Sequence, residues 1–303
     1  MKKNFKIVDY RKVSFTFSAV IVGISIILLA VFGLKPGIDF AGGSLMEFEF
    51  ATERPNNSEI MEVLEGYESV AVQSVDEKGV LIKMKFIGEE EHKDILEKVR
   101  ASFETEENRV LEQRFETIGP TISTQLRERS VYIILTVIIA IVLYVAYAFR
   151  RVSRPIQSWK YGVSAIIALV HDVIITLGIF AILGRYFGVE INVAFVVALM
   201  TILGYSVNDS IVVFDRVREN LIKKGSDRFV ESINQGVQDT IPRSINTSAT
   251  TLLVLTALFL FGGESIHYFS LALIIGILTG TYSSIFLAAP LLATWQDLAK
   301  RKK

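Results

Sequence analysis

The stretch INVAFVVALMTILGYSVNDSIVVF, Ile191 to Phe214, decides the class of fold, because it is apolar along almost its whole length and carries one charged side chain, Asp209. A helix needs about 20 mostly apolar residues to cross the hydrocarbon core of a bilayer. This stretch therefore predicts a membrane-spanning helix.

Five further apolar runs of similar character lie on either side of it. They cover residues 14–34, 130–149, 161–183, 244–261 and 266–295. The run 244–261 is the weakest, since it is short and rich in Asn, Ser and Thr, so its polar side would have to face other helices. With 191–214 they predict a membrane α-helical protein with six transmembrane helices.

The composition excludes several other classes. Hydrophobic residues make up 51% and charged residues 21%, so the apolar mass is concentrated in segments. Aromatic residues reach 11%, there are six prolines and no cysteine, which excludes a disordered chain, a collagen and a disulfide-stapled scaffold. Residues 35–128 hold 21 acidic and 11 basic side chains, and the rest of the chain holds 11 and 21. Bases that flank apolar runs argue against a nucleic-acid partner and for contact with membrane lipid.

Lysine and arginine set the expected orientation, since they are enriched in cytoplasmic loops. They cluster at the N-terminus, in 150–160, in 215–243 and at the C-terminus. We therefore expect residues 1–34 to be a cytoplasmic N-terminus and first transmembrane helix, 35–128 an external domain, and 129–303 a five-helix membrane domain with a cytoplasmic C-terminus. The first run is longer than the 7–15 residues of a signal-peptide core and no A-x-A site follows, which favours a retained anchor.

The external segment changes from apolar runs to alternating patterns. SLMEFEF, VAVQSV, VLIKMKFI and NRVLEQRFETI are typical of strands, and NNSEIMEVLEGY and EEEHKDILEKVRASF of helices. The order β-α-β-β-α-β predicts an α+β, ferredoxin-like domain. No catalytic group is evident in it, and His92 is interpreted as a solvated residue, so the domain is predicted to be a binding or mechanical module rather than an enzyme.

Ionisable groups inside predicted spans are candidate functional residues, because each costs about 2.5 to 3.5 kcal/mol to insert. Asp209 lies in the fourth span and Arg243 begins the fifth, where an aspartate near an arginine on another helix would neutralise both charges. The two open readings are a proton relay and a structural salt bridge. His171 and Asp172 lie in the third span; since neighbours on a helix point about 100° apart, they are not expected to face one partner, and they are either a secondary relay or helix-packing residues.

A dense charge cluster follows the fourth span in FDRVREN. Asp215, Arg216, Arg218 and Glu219 are spaced for a local ion-pair network at the cytoplasmic end, or for a simple interfacial anchor.

Four motifs together resemble the SecF family of the Sec translocation machinery, part of the resistance-nodulation-division (RND) superfamily. They are GIDFAGGS after the first span, LVHDVIITLGIF in the third, GYSVNDSIVVFDRVREN in the fourth, and PRSINTSATTLL opening the fifth. The resemblance covers nearly the whole chain and implies six transmembrane helices of RND type.

The resemblance also implies a function. Members work with SecD and use the proton-motive force in late-stage preprotein translocation through SecYEG across the bacterial cytoplasmic membrane, with SecA involved indirectly and YajC as an additional partner. The proton-conducting aspartate falls on Asp209 and its arginine on Arg243, while Gly42 and Gly43 fall in the hinge of the external domain. No cofactor or metal is expected, the coupling ion being H⁺ or Na⁺, and translocating unfolded preproteins are the expected cargo.

Two other functions stay open on the residues alone. An RND-type small-molecule efflux transporter would use the same helices, although one external domain and one six-span half argue against it. An intramembrane aspartyl protease would pair Asp172 with Asp209, although its GxGD signature is replaced by GYSVND.

Overall fold

A computed structural model describes residues 6–75, 77–149, 157–225 and 228–301. The chain divides into two compact units. Pro36–Val131 forms one, here called the α/β unit, and Met1–Lys35 with Tyr132–Lys303 forms the other, here called the membrane unit. Several bases used for the orientation lie outside the described residues, namely Lys2, Lys3, Arg150, Arg151, Arg154, Lys302 and Lys303, as does Asp76 of the predicted DEKG turn.

The α/β unit follows the expected order of elements. They are α2 (Ile38–Ala41), β1 (Gly43–Phe50), α3 (Asn57–Val63), β2 (Ala71–Val75), β3 (Gly79–Met84), α4 (Glu89–Phe103) and β4 (Val110–Ile118), numbered after α1 (Arg11–Phe32) of the membrane unit. The strands form an antiparallel sheet in the order β2-β3-β1-β4. This arrangement confirms the ferredoxin-like prediction.

Alternation along β1 positions the core of this unit. Met46, Phe48 and Phe50 are fully buried on one face and pack with Ile60 of α3 and Ile95 of α4. The helices thus cover one face of the sheet.

His92 on α4 is not the solvated residue expected from the sequence. Its Nε2 lies 2.6 Å from Oε1 of Glu112 on β4, and its ring stacks on Phe115 at 3.8 Å between centroids. The histidine therefore fastens α4 to the edge strand of the sheet.

Six long helices are apolar enough to cross a membrane, which confirms the predicted number among the described residues. After α1 they are α5 (Pro120–Ala148), α6 (Ser158–Phe187), α7 (Val193–Lys224), α8 (Phe229–Phe261) and the pair α9 (Glu264–Ser283) and α10 (Ala289–Arg301). A five-residue π-helical stretch, Ser284–Ala288, joins α9 to α10. The sixth apolar run is therefore one continuous helical rod with a local change of pitch.

Two helices begin well before their apolar runs. α5 starts at Pro120, where proline suits the first helical position because its missing N–H has no partner there anyway, and it runs from the α/β unit into the membrane unit. α8 starts at Phe229 and passes through Pro242, so Arg243 lies inside a helix and does not begin one. Hydropathy detects continuous apolar stretches, and polar residues interrupt both extensions; that of α8 is amphipathic and buries Phe229, Ile233 and Val237.

Helices α6, α7 and α9 form the interior of the membrane unit, while α1, α5 and α8 leave most of their apolar side chains exposed. Glycine allows the closest approach: a Cβ on Gly276 of α9 would lie 2.2 Å from the Ile202 side chain on α7. On α6, a Cβ on Gly178 would lie 2.5 Å from Ser25 on α1. Small residues thus let the central helices pack backbone to backbone.

Candidate functional site

Asp209 lies on α7 among small hydroxyl residues. Its Oδ1 accepts a hydrogen bond from Ser244 of α8 at 2.5 Å. Its Oδ2 is buried and has no hydrogen-bond partner among the described residues. The Ser284 hydroxyl approaches the carboxylate, but its hydrogen bonds go to Ser210 and to the Gly280 carbonyl. One carboxylate oxygen is therefore left available.

Arg243 is next to Ser244 on α8, but its side chain is exposed. Among the described residues no ion pair shorter than 4.0 Å joins it to Asp209, although the two are close enough to interact electrostatically. The ion pair expected from the sequence is therefore not formed in this conformation. Ser244, the next residue on α8, donates the hydrogen bond to the Asp209 carboxylate instead.

Asp172 is the most enclosed ionisable group of the site, with no exposed surface. Its Oδ2 accepts hydrogen bonds from Ser206 of α7 at 2.6 Å and from Ser283 of α9 at 2.8 Å. Its backbone carbonyl accepts one from Thr176 at 2.9 Å. The carboxylate therefore ties α6 to both neighbouring central helices.

His171 interacts directly with Asp172, with 2.9 Å between Nδ1 and Oδ1. From helix geometry these neighbours were not expected to face one partner. In the structure they contact each other, and α9 supplies both Tyr282 beside the His171 ring and Ser283 at the Asp172 carboxylate. The imidazole is 4% exposed, stacks near Tyr282, and its Nε2 has no hydrogen-bond partner among the described residues.

The serines that bind these carboxylates were largely missed by sequence reasoning. Ser206, Ser244, Ser283 and Ser284 were not identified as partners. The available signal was spacing: Ser206 lies three residues before Asp209 on α7, so the two side chains share one side of the helix.

The two aspartates have separate partners. Asp172 binds His171, Ser206 and Ser283, whereas Asp209 binds Ser244, and no described hydrogen bond joins the two carboxylates. An aspartyl protease requires two carboxyl groups that share a proton. The arrangement does not favour that function.

The charge cluster at the end of α7 gains a partner from α8. Arg216 contacts Glu219 at 2.6 Å and Asp239 of α8 at 2.9 Å, while Arg218 lies 3.6 Å from Asp215. Asp239 was not identified from the sequence. Asp215, Arg216, Arg218 and Glu219 of α7 line a cavity of about 430 Å³ together with Arg243 of α8. The cavity is bounded by α5, α7 and α8.

Gly42 and Gly43 connect α2 to β1 with φ of +76° and +132°. A Cβ on Gly43 would lie 2.6 Å from the Met84 carbonyl oxygen, and one on Gly42 would lie 3.1 Å from Oγ of Ser123. Gly43 therefore requires glycine for its backbone angle and for space, and Gly42 requires it for its backbone angle. Their role as a hinge stays a prediction.

No group of three or more potential metal-ligating His, Asp or Glu side chains occurs among the described residues. The described part of the chain is thus a multi-pass membrane protein whose interior holds ionisable groups bound by serines, together with a small α/β unit. That combination defines the class as a multi-pass membrane protein with ionisable side chains buried in its helical interior.

Comparison with known families narrows this class. Residues 97–298 match the model described as protein export membrane protein SecD/SecF, C-terminal, and residues 27–53 match the SecD/SecF GG motif. The protein translocase subunit SecF of Thermobaculum terrenum is 40% identical over 96% of this chain and 94% of its own length. That of Rickettsia prowazekii is 35% identical over 100% of this chain and 94% of its own. The chain belongs to the SecF family.

A solved structure agrees with this assignment. The crystal structure of SecDF, a translocon-associated membrane protein from Thermus thermophilus, superposes with a TM-score of 0.82 at 30% identity. The match covers 98% of this chain and 40% of the SecDF chain. The chain therefore spans less than half of that larger protein.

Proposed function

We propose that this chain works with a SecD partner as the accessory subunit of the Sec translocase that couples the proton-motive force to late-stage preprotein translocation through SecYEG. Its relatives are named protein translocase subunits, and the matching SecDF structure is described as translocon-associated. The SecDF chain extends well beyond the matched part, which supports a SecD-like partner for this chain.

The observation that carries the coupling proposal is the unpartnered Oδ2 of Asp209 within a membrane-spanning helix. An ionised carboxylate in a low-dielectric interior is costly unless it is paired, so a carboxyl without an ion pair favours its protonated form. Arg243 is the nearby cation that would stabilise the ionised form.

Movement of α8 would exchange the two partners. Ser244 and Arg243 are consecutive on α8, and the arginine borders a cavity that leaves room for its side chain to move. In one state Ser244 binds a protonated Asp209; in the other Arg243 pairs with the carboxylate after the proton has left. Each proton that crosses 100 mV supplies about 2.3 kcal/mol, enough to bias a two-state helix motion.

The proton is the coupling ion in this proposal. A hard metal cation takes several oxygen ligands, as Ca²⁺ and Mg²⁺ do. Around Asp209 the described residues supply one hydrogen-bonded hydroxyl, that of Ser244. A proton requires one oxygen.

The membrane, the orientation and the remaining partners belong to the same proposal. The chain would lie in the bacterial cytoplasmic membrane with both termini in the cytoplasm and the α/β unit outside, where it would contact the emerging unfolded preprotein. SecA would drive the early stage, and YajC would join the SecD complex. The proposed function involves no catalysis by this chain.

Asp209→Asn tests the coupling in inverted vesicles that contain the full translocase, after SecA-driven transport has been halted. We expect the variant to assemble with its partner but to lose the gradient-dependent completion of translocation. Glu231→Gln is the matched control, because Glu231 is an exposed acid of α8 that pairs with Lys224 and lies outside the lining of the cavity beside Arg243.

Full completion by Asp209→Asn with an intact response to the gradient would refute the assignment. An effect of equal size in Glu231→Gln would also refute it, since any loss of negative charge in the membrane unit would then suffice. If deletion sensitised cells to drugs without slowing export, the efflux alternative would replace the export function.

A further inference from the structure

The pair His171–Asp172 is buried more deeply than Asp209 and is not used by the proposed coupling. His171 is 4% exposed and Asp172 is 0% exposed. We propose that this pair is a second proton-binding site of the membrane unit, which exchanges its proton with water through His171 Nε2. It deepens the proposed function, but its chemistry does not depend on the role of Asp209.

The first step of the argument is charge balance. Among the described residues, the one cationic partner within 4.0 Å of the Asp172 carboxylate is the His171 ring. A buried carboxylate with a neutral histidine would leave a net negative charge without solvent, which is strongly unfavourable. One proton held within the pair makes it neutral.

The described groups around the pair supply no other positive charge that could balance the Asp172 carboxylate. Helix α7 supplies Ser206 and, one turn further, Asp209, and α9 supplies Ser283 and Tyr282. On α1, Ser18 and the Ser14 carbonyl lie within hydrogen-bond reach of the Tyr282 hydroxyl. On α10, the acid Asp297 is paired with Arg11. Each of these is an uncharged group, a second acid or an acid with its own cation. The neutralising proton therefore has to lie on the pair itself.

The hydrogen bonds then locate that proton. Because Ser206 and Ser283 both donate to Oδ2 of Asp172, the shared proton lies between Oδ1 and Nδ1 of His171. If it sits on the carboxyl, Nδ1 accepts and the imidazole hydrogen is on Nε2; if it sits on the ring, both nitrogens carry hydrogen. In both neutral forms Nε2 is protonated.

The exchange step balances in atoms and charge. A hydronium ion gives a proton to Nε2, the Nδ1 hydrogen passes to Oδ1 of Asp172, and a water molecule leaves. The reverse returns the proton to water. Nε2 is buried and has no hydrogen-bond partner among the described residues, so it is the available atom of the pair.

The packing favours a proton over a metal ion at this position. A Cβ on Gly280 of α9 would lie 3.1 Å from the Ser206 Cβ and 3.5 Å from Oδ2 of Asp172. The helices therefore meet closely beside the carboxylate. A cation with several oxygen ligands needs more space than this contact leaves.

Binding of the proton would change how three helices are held. Hydroxyl hydrogen bonds to an ionised carboxylate are stronger than those to a neutral one. Ser206 and Ser283 therefore hold α7 and α9 more firmly when the pair has lost its proton. Ser206 precedes Asp209 by three residues on α7, so the two sites share one rigid helix.

Nitrogen-15 histidine NMR on the full-length protein in lipid nanodiscs tests this site directly, because the chain has three histidines. His92→Gln and His267→Gln assign the other two signals. We expect the Nε2 signal of His171 to be that of a protonated nitrogen while the pair holds its proton, and to change in a single titration step when the pair loses it. Asp172→Asn should abolish that step, since the pair is then neutral without a shared proton.

Two further variants keep the test decisive if Asp172→Asn does not fold. Ser283→Ala removes one donor to the ionised carboxylate and should move the step to higher pH. Ser270→Ala, a buried serine of α9 without a hydrogen-bond partner among the described residues, should leave it unchanged. Asp209→Asn should also retain the step.

The proposal is overturned if His171 Nε2 is unprotonated at every pH or shows no step. It is equally overturned if the step survives in Asp172→Asn, disappears in Asp209→Asn, or is insensitive to Ser283→Ala. The spectra are recorded without translocation, so failure here leaves the Asp209 export assay untouched, and failure of that assay leaves this site untouched.

Discussion

The α/β unit buries mainly apolar side chains, whereas the membrane unit buries ionisable and hydroxyl side chains beside its apolar clusters. In the α/β unit the centre consists of Met46, Phe48 and Ile82, and acids and bases cover the surface. In the membrane unit, Asp172 and several serines lie at the centre of α6, α7 and α9, while leucine, isoleucine and valine are exposed on α1 and α5.

The difference follows from the solvent. In water, burial of apolar area drives association at roughly 25 cal/mol per Å². In lipid that driving force is absent between helices, so close backbone approach and hydrogen bonds between small polar side chains hold them together. Buried serines are accordingly few in the α/β unit, where Ser44 bonds to Thr117 and to the Ile87 N–H, and frequent among the membrane helices.

The largest effect is expected when a buried apolar side chain of the sheet is shortened. Phe48 is fully buried, and Phe48→Ala should destabilise the α/β unit by about 3–5 kcal/mol because it removes apolar contacts and leaves a cavity. Hydrogen exchange of the β1 amides in the full-length protein measures this loss. Leu111→Ala, at an exposed position of β4, should change the stability of the unit by less than about 1 kcal/mol. Equal effects of the two substitutions would contradict the assigned core.

A smaller effect is expected from overpacking between membrane helices. Gly276→Ala places a methyl group 2.2 Å from Ile202 and should destabilise the membrane unit by about 1–3 kcal/mol. Thermal unfolding in nanodiscs measures it. Gly204→Ala, a glycine of α7 with no atom within 4 Å of the added methyl, should be neutral or slightly stabilising. If both variants behaved alike, close helix approach would not be what holds α7 to α9.

The smallest effect concerns charge on the surface of the α/β unit. Lys98 donates a hydrogen bond to Asp94 at 2.8 Å, which lowers the pKa of the Asp94 carboxyl below its ordinary value; Tyr67 also donates to this carboxylate. A lowered folded-state pKa contributes stability above the unfolded-state pKa of about 3.9, and the contribution is lost as the pH falls through the folded-state value.

Stability of the α/β unit should therefore decline with acidification below about pH 4, and Asp94→Asn should make that decline shallower. Hydrogen exchange of α4 over a pH series measures the slope. Lys98→Gln should likewise make the decline of stability with acidification shallower. A slope unaffected by either change would show that the exposed pair contributes nothing, as many surface ion pairs do.

The contrast between units also explains which parts of the site could be predicted. Asp209, Asp172, His171 and Arg243 stand out in the sequence because ionisable residues are rare in apolar runs. Ser244 and Ser283 do not, since serine is common and neutral, and only the neighbouring helix determines whether it meets a carboxylate. Asp239 was missed because its partner is also set by a neighbouring helix: Arg216 lies 23 residues away, on α7.

By itself, the sequence determined the six membrane helices, the ferredoxin-like order of the α/β unit and the candidate ionisable residues, because periodicity and hydropathy are local properties of the chain. Only the tertiary structure decided which partner each group takes. Asp209 binds Ser244 and not Arg243, and His171 binds the residue next to it. Such choices depend on helix rotation and on gaps of a few ångströms between helices distant in sequence, and these are set by packing.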